Sequence, residues 1–244
     1  MYGRRGRVGV LVPSTNFVAE IELSRMMPDG VSIHTARCMF EDTSEEANKI
    51  DRLLAMSKNV VRAAREVACV KPRVIVWACT SGSFLQGAEN EGAIEREIQS
   101  ATGIPAVTTS TAMIETIRAM QITRLALVTP YIHEINESQV RFLEERIKGL
   151  KVINVYSLGI LSTIAKSEME PETAYDAGLR GDRPEAQGIF ISCTAWRTIE
   201  ILKPLEEALR KPVISSNQAT AWAALQRMNL RGDPRWGSLF GTER

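Results

Sequence analysis

The sequence predicts an α/β protein of two pseudo-symmetric lobes, each a mainly parallel sheet flanked by helices, with an active site in the cleft between them. Three observations predict it. Strand-like and helix-like stretches alternate from Arg7 onward with short breaks, which is the pattern of parallel α/β architecture. Two apolar runs, Arg73-Val-Ile-Val-Trp-Ala-Cys79 and Gly188-Ile-Phe-Ile-Ser-Cys193, each deliver a cysteine followed by threonine, 114 positions apart. The proline-led turns around them recur in the same order. Pro13 precedes Cys79 by 66 positions and Pro130 precedes Cys193 by 63, and Ile104-Pro-Ala-Val-Thr-Thr-Ser110 is answered by Lys211-Pro-Val-Ile-Ser-Ser-Asn217. A period above a hundred residues implies a duplicated lobe rather than a solenoid. It divides the chain into lobes of residues 1–121 and 122–244, with a C-terminal segment free to pack on the first lobe.

Taken in order, Val8–Val12 reads as a buried strand closed by Pro13-Ser-Thr-Asn16. The helix that follows, from about Phe17 to Met26, is capped by those hydroxyls or by Asn16. Val31–Ala36 alternates as a second strand. Glu41–Cys69 holds one long helix or two, with Thr43 or Ser44 as N-cap before Glu45-Glu46. Cys69 falls at helical spacing among apolar residues, so packing into the core accounts for it. Val74–Trp77 is the strand that carries Cys79. Gly87–Ala101 is charged and helical until Gly103, and a short strand at Ile104–Val107 leads through hydroxyls into a helix from about Ala112 to Met120. From Arg124-Leu-Ala-Leu-Val-Thr129-Pro130-Tyr131 the series restarts, and Cys193 is followed by a helical pattern that includes Trp196 and Arg197.

Composition bounds the function. At 244 residues the chain can bury most of the apolar surface of its unfolded state, and 44% hydrophobic with 24% charged residues is ordinary for a soluble protein. A net charge of +1 gives no electrostatic case for nucleic acid or a membrane surface. The basic opening runs into a strand too short for a signal-peptide core or a membrane span, so a cytoplasmic location is expected. A homodimer is the default assembly. The four cysteines show no CxxC pairing and there are only two histidines, so no metal site is expected. Neither a GxGxxG nor a P-loop motif is present, and no cofactor is expected.

In open parallel sheets ligands bind outside the carboxyl ends of the strands. Pro13–Asn16, Cys79–Ser83, Thr108–Ser110, Tyr131, Cys193-Thr194 and Ser215–Asn217 all lie at such ends and are expected to converge. A thiol at a helix N-terminus, as Cys79 would be before Thr80-Ser81-Gly82-Ser83, is favoured as thiolate, and the same N–H groups and hydroxyls suit a carboxylate. A second thiol, Cys193, on the other face of the bound carbon serves either racemisation or thiolate addition with protonation. Tyr131 can offer its O–H to a carboxylate or enolate, and Asn16 and Asn217 either donate to carboxylate oxygens or cap helices. His133 and Arg197 read as surface residues.

Pro13-Ser-Thr-Asn16, Ala78-Cys-Thr-Ser-Gly-Ser83, Ser192-Cys-Thr194 and Ser215-Ser-Asn-Gln-Ala219 together resemble the aspartate/glutamate racemase superfamily, and within it the maleate cis-trans isomerase and arylmalonate decarboxylase branch. The resemblance covers nearly the whole chain and implies the two-lobed fold read above. It implies that Cys79 adds to a double bond and Cys193 donates and accepts the proton. It also implies that Asn16 and Tyr131 bind carboxylate oxygens, with Thr80 and Ser81 helping to hold a carboxylate. Thr194 and Asn217 complete the expected substrate contacts. Decarboxylases of this branch carry glycine in place of the first cysteine, so keeping both Cys79 and Cys193 favours an isomerase or racemase over a decarboxylase. Where the branch carries an acidic residue and a carboxylate-binding asparagine after Leu-Gly-Ile, this chain reads Leu158-Gly-Ile-Leu-Ser-Thr163, with Thr163 in the asparagine's place. The expected activity is cofactor-independent isomerisation of a small carboxylate or dicarboxylate, most concretely maleate to fumarate. An amino-acid or hydantoin-type racemase, an arylmalonate-type decarboxylase and a non-catalytic carboxylate-binding protein are the alternatives.

Overall fold

The β-branched run from Gly6 to Pro13 forms strand β1, which lies between β2 (Val31–Cys38) and β3 (Val74–Trp77); β3 in turn pairs with β4 (Ala106–Thr108). All three pairings are parallel, with Val10 opposite Thr35 and Leu11 opposite Trp77. The structure, a computed structural model, describes residues 2–42, 49–90 and 92–242. The second sheet repeats the first: β5 (Arg124–Thr129) lies between β6 (Lys151–Ser157) and β7 (Gly188–Ile191), and β7 pairs with β8 (Val213–Ser215). The strand orders β2-β1-β3-β4 and β6-β5-β7-β8 are equivalent, and every pairing is parallel. Two four-stranded lobes of like topology are the predicted fold.

Inner strands covered on both faces need apolar side chains on both, which is why β3 and β7 read as unbroken runs, Val-Ile-Val-Trp and Gly-Ile-Phe-Ile, with every residue buried. Each such Val, Ile or Leu contributes about 1.5–3 kcal/mol by leaving water. Edge strand β6 alternates exposed and half-buried residues instead.

The connections follow the predicted alternation with instructive shifts. Helix α1 (Ala19–Met26) is capped as expected, Asn16 Oδ1 accepting the N–H groups of Val18 and Ala19. The Glu41–Cys69 stretch holds two helices, α2 (Lys49–Ser57) and α3 (Val60–Ala68); the expected caps Thr43 and Ser44 lie outside the described residues. Val60, Ala63, Ala64 and Val67 of α3 lie buried at i, i+3, i+4, i+7 spacing. Gly9 in β1 lets α3 come close, since a Cβ there would meet Val67 Cγ1 at 2.9 Å. Cys69, expected in the core, is exposed just past the end of α3, its thiol turned to the Arg65 carbonyl.

After Cys79 comes the short helix α4 (Thr80–Phe84), then a 3-10 turn at Ala88–Asn90 and α5 (Ala93–Thr102), which stops at Gly103 as expected. Helix α6 (Thr109–Ala119) starts directly from β4. The second lobe contains α7 (His133–Arg146), α8 (Thr163–Glu168), α9 (Pro171–Gly181), α10 (Leu202–Leu209) and α11 (Ser216–Arg227). Helix α11 packs along α6 and α1, and Arg227 pairs with Glu115 at 2.8 Å, so the C-terminal helix joins the two lobes. No described helix is long and apolar enough to cross a membrane.

The helical pattern expected after Cys193 is not a helix: residues 194–201 form successive turns. Their free N–H groups are taken by a side chain from the other lobe, Glu22 of α1. Its carboxylate accepts from Thr198 N at 2.6 Å and Ile199 N at 3.1 Å. A cap supplied from 176 positions away replaces the intrahelical bonds.

Candidate active site

Strand β3 ends by placing Cys79 in extended conformation (φ −147°, ψ 104°) as the N-cap of α4. The Gly82 N–H and the Ser81 hydroxyl point at its sulfur. A Cβ on Gly82 would lie 2.8 Å from Cys79 Sγ, so only glycine lets the thiol sit over the turn. Strand β7 ends in the same way at Cys193, where the Ala195 N–H faces the sulfur. The two strand ends open into one pocket whose wall includes Cys79 and Cys193 together with Asn16, Thr80, Ser81 and Thr194. Tyr131, just past the end of β5, reaches into it, and its hydroxyl faces both Thr80 and Cys193.

The polar side chains hold one another across the lobes. Asn16 Nδ2 donates to Thr194 Oγ1 at 3.1 Å, and the Thr194 hydroxyl donates to the Ala78 carbonyl at 3.1 Å. The Thr80 hydroxyl donates to Ser216 Oγ at 2.9 Å, and Ser216 Oγ accepts the Cys193 N–H at 3.1 Å. Behind this layer lies a second one made from the remaining predicted turns: Ser110 N–H to Ser83 Oγ at 3.1 Å, and Thr109 to Thr220 at 3.0 Å. Thr108–Ser110 and Ser215–Asn217 therefore support the pocket from behind and do not line it.

Asn217, expected to touch substrate, is fully buried. Its amide donates to Glu22 Oε2 at 2.7 Å and to the Thr194 carbonyl at 3.1 Å, so it positions the turn after Cys193. Arg197 turns to the Ser167 carbonyl and Glu170, and His133 is exposed beside Glu137.

The electrostatics correct one expectation. Burial pushes the Cys79 thiol up to about 12, and the Gly82 N–H and Ser81 hydroxyl only partly oppose it. Burial also raises Cys193, opposed mainly by the nearby Lys166 ammonium, and raises Tyr131. Burial thus disfavours the thiolate of both cysteines, because desolvation of a thiolate outweighs a single turn of backbone dipoles.

Sequence reasoning missed two buried side chains on the pocket wall, Lys49 of α2 and Lys166 of α8. Lys49 Nζ lies 2.9 Å from Asp42 Oδ1 and 3.5 Å from Thr163 Oγ1. Asp42 Oδ2 accepts from the Ser162 hydroxyl and the Thr163 N–H at 2.8 Å and the Ile164 N–H at 3.2 Å, capping α8. Burial acts against the Asp42 charge, yet Lys49, Thr163 and Ser162 hold its carboxyl down at about 2.

Residues 8–239 match the family model of arylmalonate decarboxylase. Arylmalonate decarboxylase of Bordetella bronchiseptica is 30% identical, over 96% of this chain and 95% of its own length. Maleate isomerase of Nocardia farcinica is 29% identical, over 92% and 90%. The crystal structure of a Pseudomonas putida maleate isomerase superposes with a TM-score of 0.88 at 25% identity, over 96% of this chain and 97% of the other. With the paired strand-end cysteines in one pocket and the doubled sheet, these matches show that the chain belongs to the arylmalonate decarboxylase family, in the branch of the aspartate/glutamate racemase superfamily that also holds the maleate isomerases.

Proposed function

We propose that the protein is a cofactor-independent two-cysteine isomerase of a small dicarboxylate, most concretely one that converts maleate to fumarate. The observation that carries this reading is the presence of Cys79 and Cys193 in one pocket, each at the end of an equivalent strand. Relatives bearing the name maleate isomerase support it.

In the proposed cycle Cys79 first releases its proton to solvent, to recover it once product has left; its sulfur then forms a C–S bond to one alkene carbon, and Cys193 gives its proton to the other. The former double bond is then single and rotates. Cys193 takes a proton back from the same carbon, the C–S bond breaks, and the trans alkene leaves, with no net proton consumed. Gly82 N–H and Ser81 steady the sulfur of Cys79, as Ala195 N–H and the Tyr131 hydroxyl steady that of Cys193. Asn16, Ser81 and Tyr131 present side-chain donors for carboxylate oxygens, and Thr80 and Thr194, whose hydroxyls are held by Ser216 and the Ala78 carbonyl, line the same wall. Asn217 acts as a positioning residue.

Decarboxylation is the second reading, favoured by the family description and the Bordetella relative. A carboxylate leaving as carbon dioxide loses its charge in the transition state, so buried ammonium groups would favour the ground state and slow the reaction. Cys79 also has no part in it. We further propose that the enzyme works as a cytoplasmic homodimer, consistent with four free thiols and the commonest symmetric assembly.

Proton NMR of the reduced protein with maleate, without added cofactor, tests the proposal. Growth of the fumarate vinyl signal is the expected result. Release of carbon dioxide from an arylmalonate with maleate unchanged would replace it with the decarboxylase reading.

A further inference from the structure

A lysine buried to 3% exposure with no carboxylate partner is rare, because an ammonium taken from water must be repaid by an opposite charge. Among the described residues Lys166 is such a residue. Its Nζ donates to the Leu161 carbonyl at 3.2 Å and lies 5.3 Å from the centre of the Tyr131 ring. Among the described residues it forms no ion pair. An ammonium has three N–H donors, and Lys166 lines the pocket that also holds the two thiols. Lys49 adds a second buried ammonium to the same wall, but Asp42 already neutralises it, and the Asp42 second oxygen is spent on capping α8. Among the described residues, Lys49 has a carboxylate partner and Lys166 has none.

Tyr131 fixes where the excess charge sits. Its hydroxyl reaches Thr80 and Cys193, among the donors that hold a carboxylate beside the thiols, while its ring lies against Lys166. Lys166 and the donors around the thiols thus meet on opposite parts of one tyrosine side chain, so an acid that reaches both is short.

We infer that Lys166, with the Lys49–Asp42–Thr163 cluster behind it, is the receptor for the second carboxylate of the substrate, so that the pocket selects short dianionic dicarboxylates over monocarboxylates. The inference rests on the reading of the pocket as a carboxylate site. It assigns to an ammonium the task of the asparagine that Thr163 replaces. Burial lowers Lys166 to about 8, against the attraction of Cys193, Asp42 and Cys79 and together with the repulsion of Lys49. The uncharged Tyr131 phenol is the other titratable group on it. Above that value the receptor loses its charge.

The test is calorimetric titration of the intact reduced protein with succinate and with butyrate, four-carbon acids that differ by one carboxylate and lack a double bond. At pH 7 succinate is expected to bind about tenfold or more tightly relative to butyrate. Lys166→Met should abolish that preference and Lys166→Arg should keep it, with thermal melts confirming that both fold. Should Lys166→Met not fold, the wild-type preference is followed from about pH 7 to about pH 9.5, where a loss centred near 8 supports the inference and a flat profile overturns it. Undiminished preference for succinate in Lys166→Met overturns it, as does a wild-type protein that binds both acids equally or neither. A preference that depends on Lys166 in a protein that does not isomerise maleate would leave the receptor standing and remove the isomerase reading.

Discussion

The Thr80 hydroxyl bonds Ser216 Oγ across the lobe interface, and through it the residue after the first cysteine holds the backbone of the second, Cys193. The two thiols are thus set relative to each other by a two-bond bridge that no loop can vary independently. Ser216→Ala removes both bonds and leaves the buried Cys193 N–H unpaired. A loss of about 1–3 kcal/mol in chemical denaturation is expected, with a larger proportional fall in kcat than in substrate affinity, measured by steady-state kinetics.

Replacing either cysteine by serine should separate chemistry from folding. Cys79→Ser and Cys193→Ser each change little volume in the core, so melting temperatures should stay within a few degrees of the wild type. Turnover should fall by about a hundred- to ten-thousandfold in each. Isomerisation at the wild-type rate in both would sink the two-thiol mechanism.

Gly82→Ala places a methyl group 2.8 Å from Cys79 Sγ and 3.2 Å from Met56 Cε. Alanine is the better helix former by about 1 kcal/mol, so the effect on stability is small while the thiol is pushed from its seat. About a tenfold or greater drop in kcat/KM is expected, and slower alkylation of Cys79 by iodoacetamide, read by peptide mass mapping, would accompany it.

Glu22 makes a pH prediction. Burial raises its carboxyl from the ordinary 4.5 to about 7, against the lowering effect of the Thr198 N–H, the Asn217 amide and the Ile199 N–H. The folded state keeps a proton that the unfolded chain has already released in that window. Its contribution to stability is therefore full below about 4.5 and is lost as pH rises through about 7. Denaturation midpoints of Glu22→Gln, followed from about pH 4.5 to about pH 8, should show a shallower decline than wild type. Glu22→Ala strands several buried donors and should cost about 3 kcal/mol.

What was legible in the sequence was whatever a strand end announces locally. The β-branched runs stopping at Cys79 and Cys193, the prolines, and the hydroxyl-rich turns gave the sheets, their doubling, and Asn16, Thr80, Ser81, Tyr131 and Thr194 on the pocket wall. What was illegible depends on partners far along the chain. Lys166 sits in Ser162-Thr-Ile-Ala-Lys-Ser-Glu168, which reads as a solvated helix until Asp42, 121 positions from Thr163, caps it and turns the lysine inward. Asn217 stands at a strand end like its neighbours, yet Glu22 from α1 claims its amide. The same carboxylate turns the expected helix after Cys193 into a series of turns. Cys69 fitted a helical stripe, but α3 ends one residue before it.

Four of the bonds that shape the pocket, Asn16 to Thr194, Thr80 to Ser216, Asp42 to Thr163 and Glu22 to Thr198, join the first sheet's half of the chain to the second's. Neither half owns a working site. Were the halves separate polypeptides, the site would form by a bimolecular encounter and empty itself on dilution. Joined in one chain, they meet at an effective concentration fixed by the connecting segment. The completeness of the site is then independent of how many copies the cell holds.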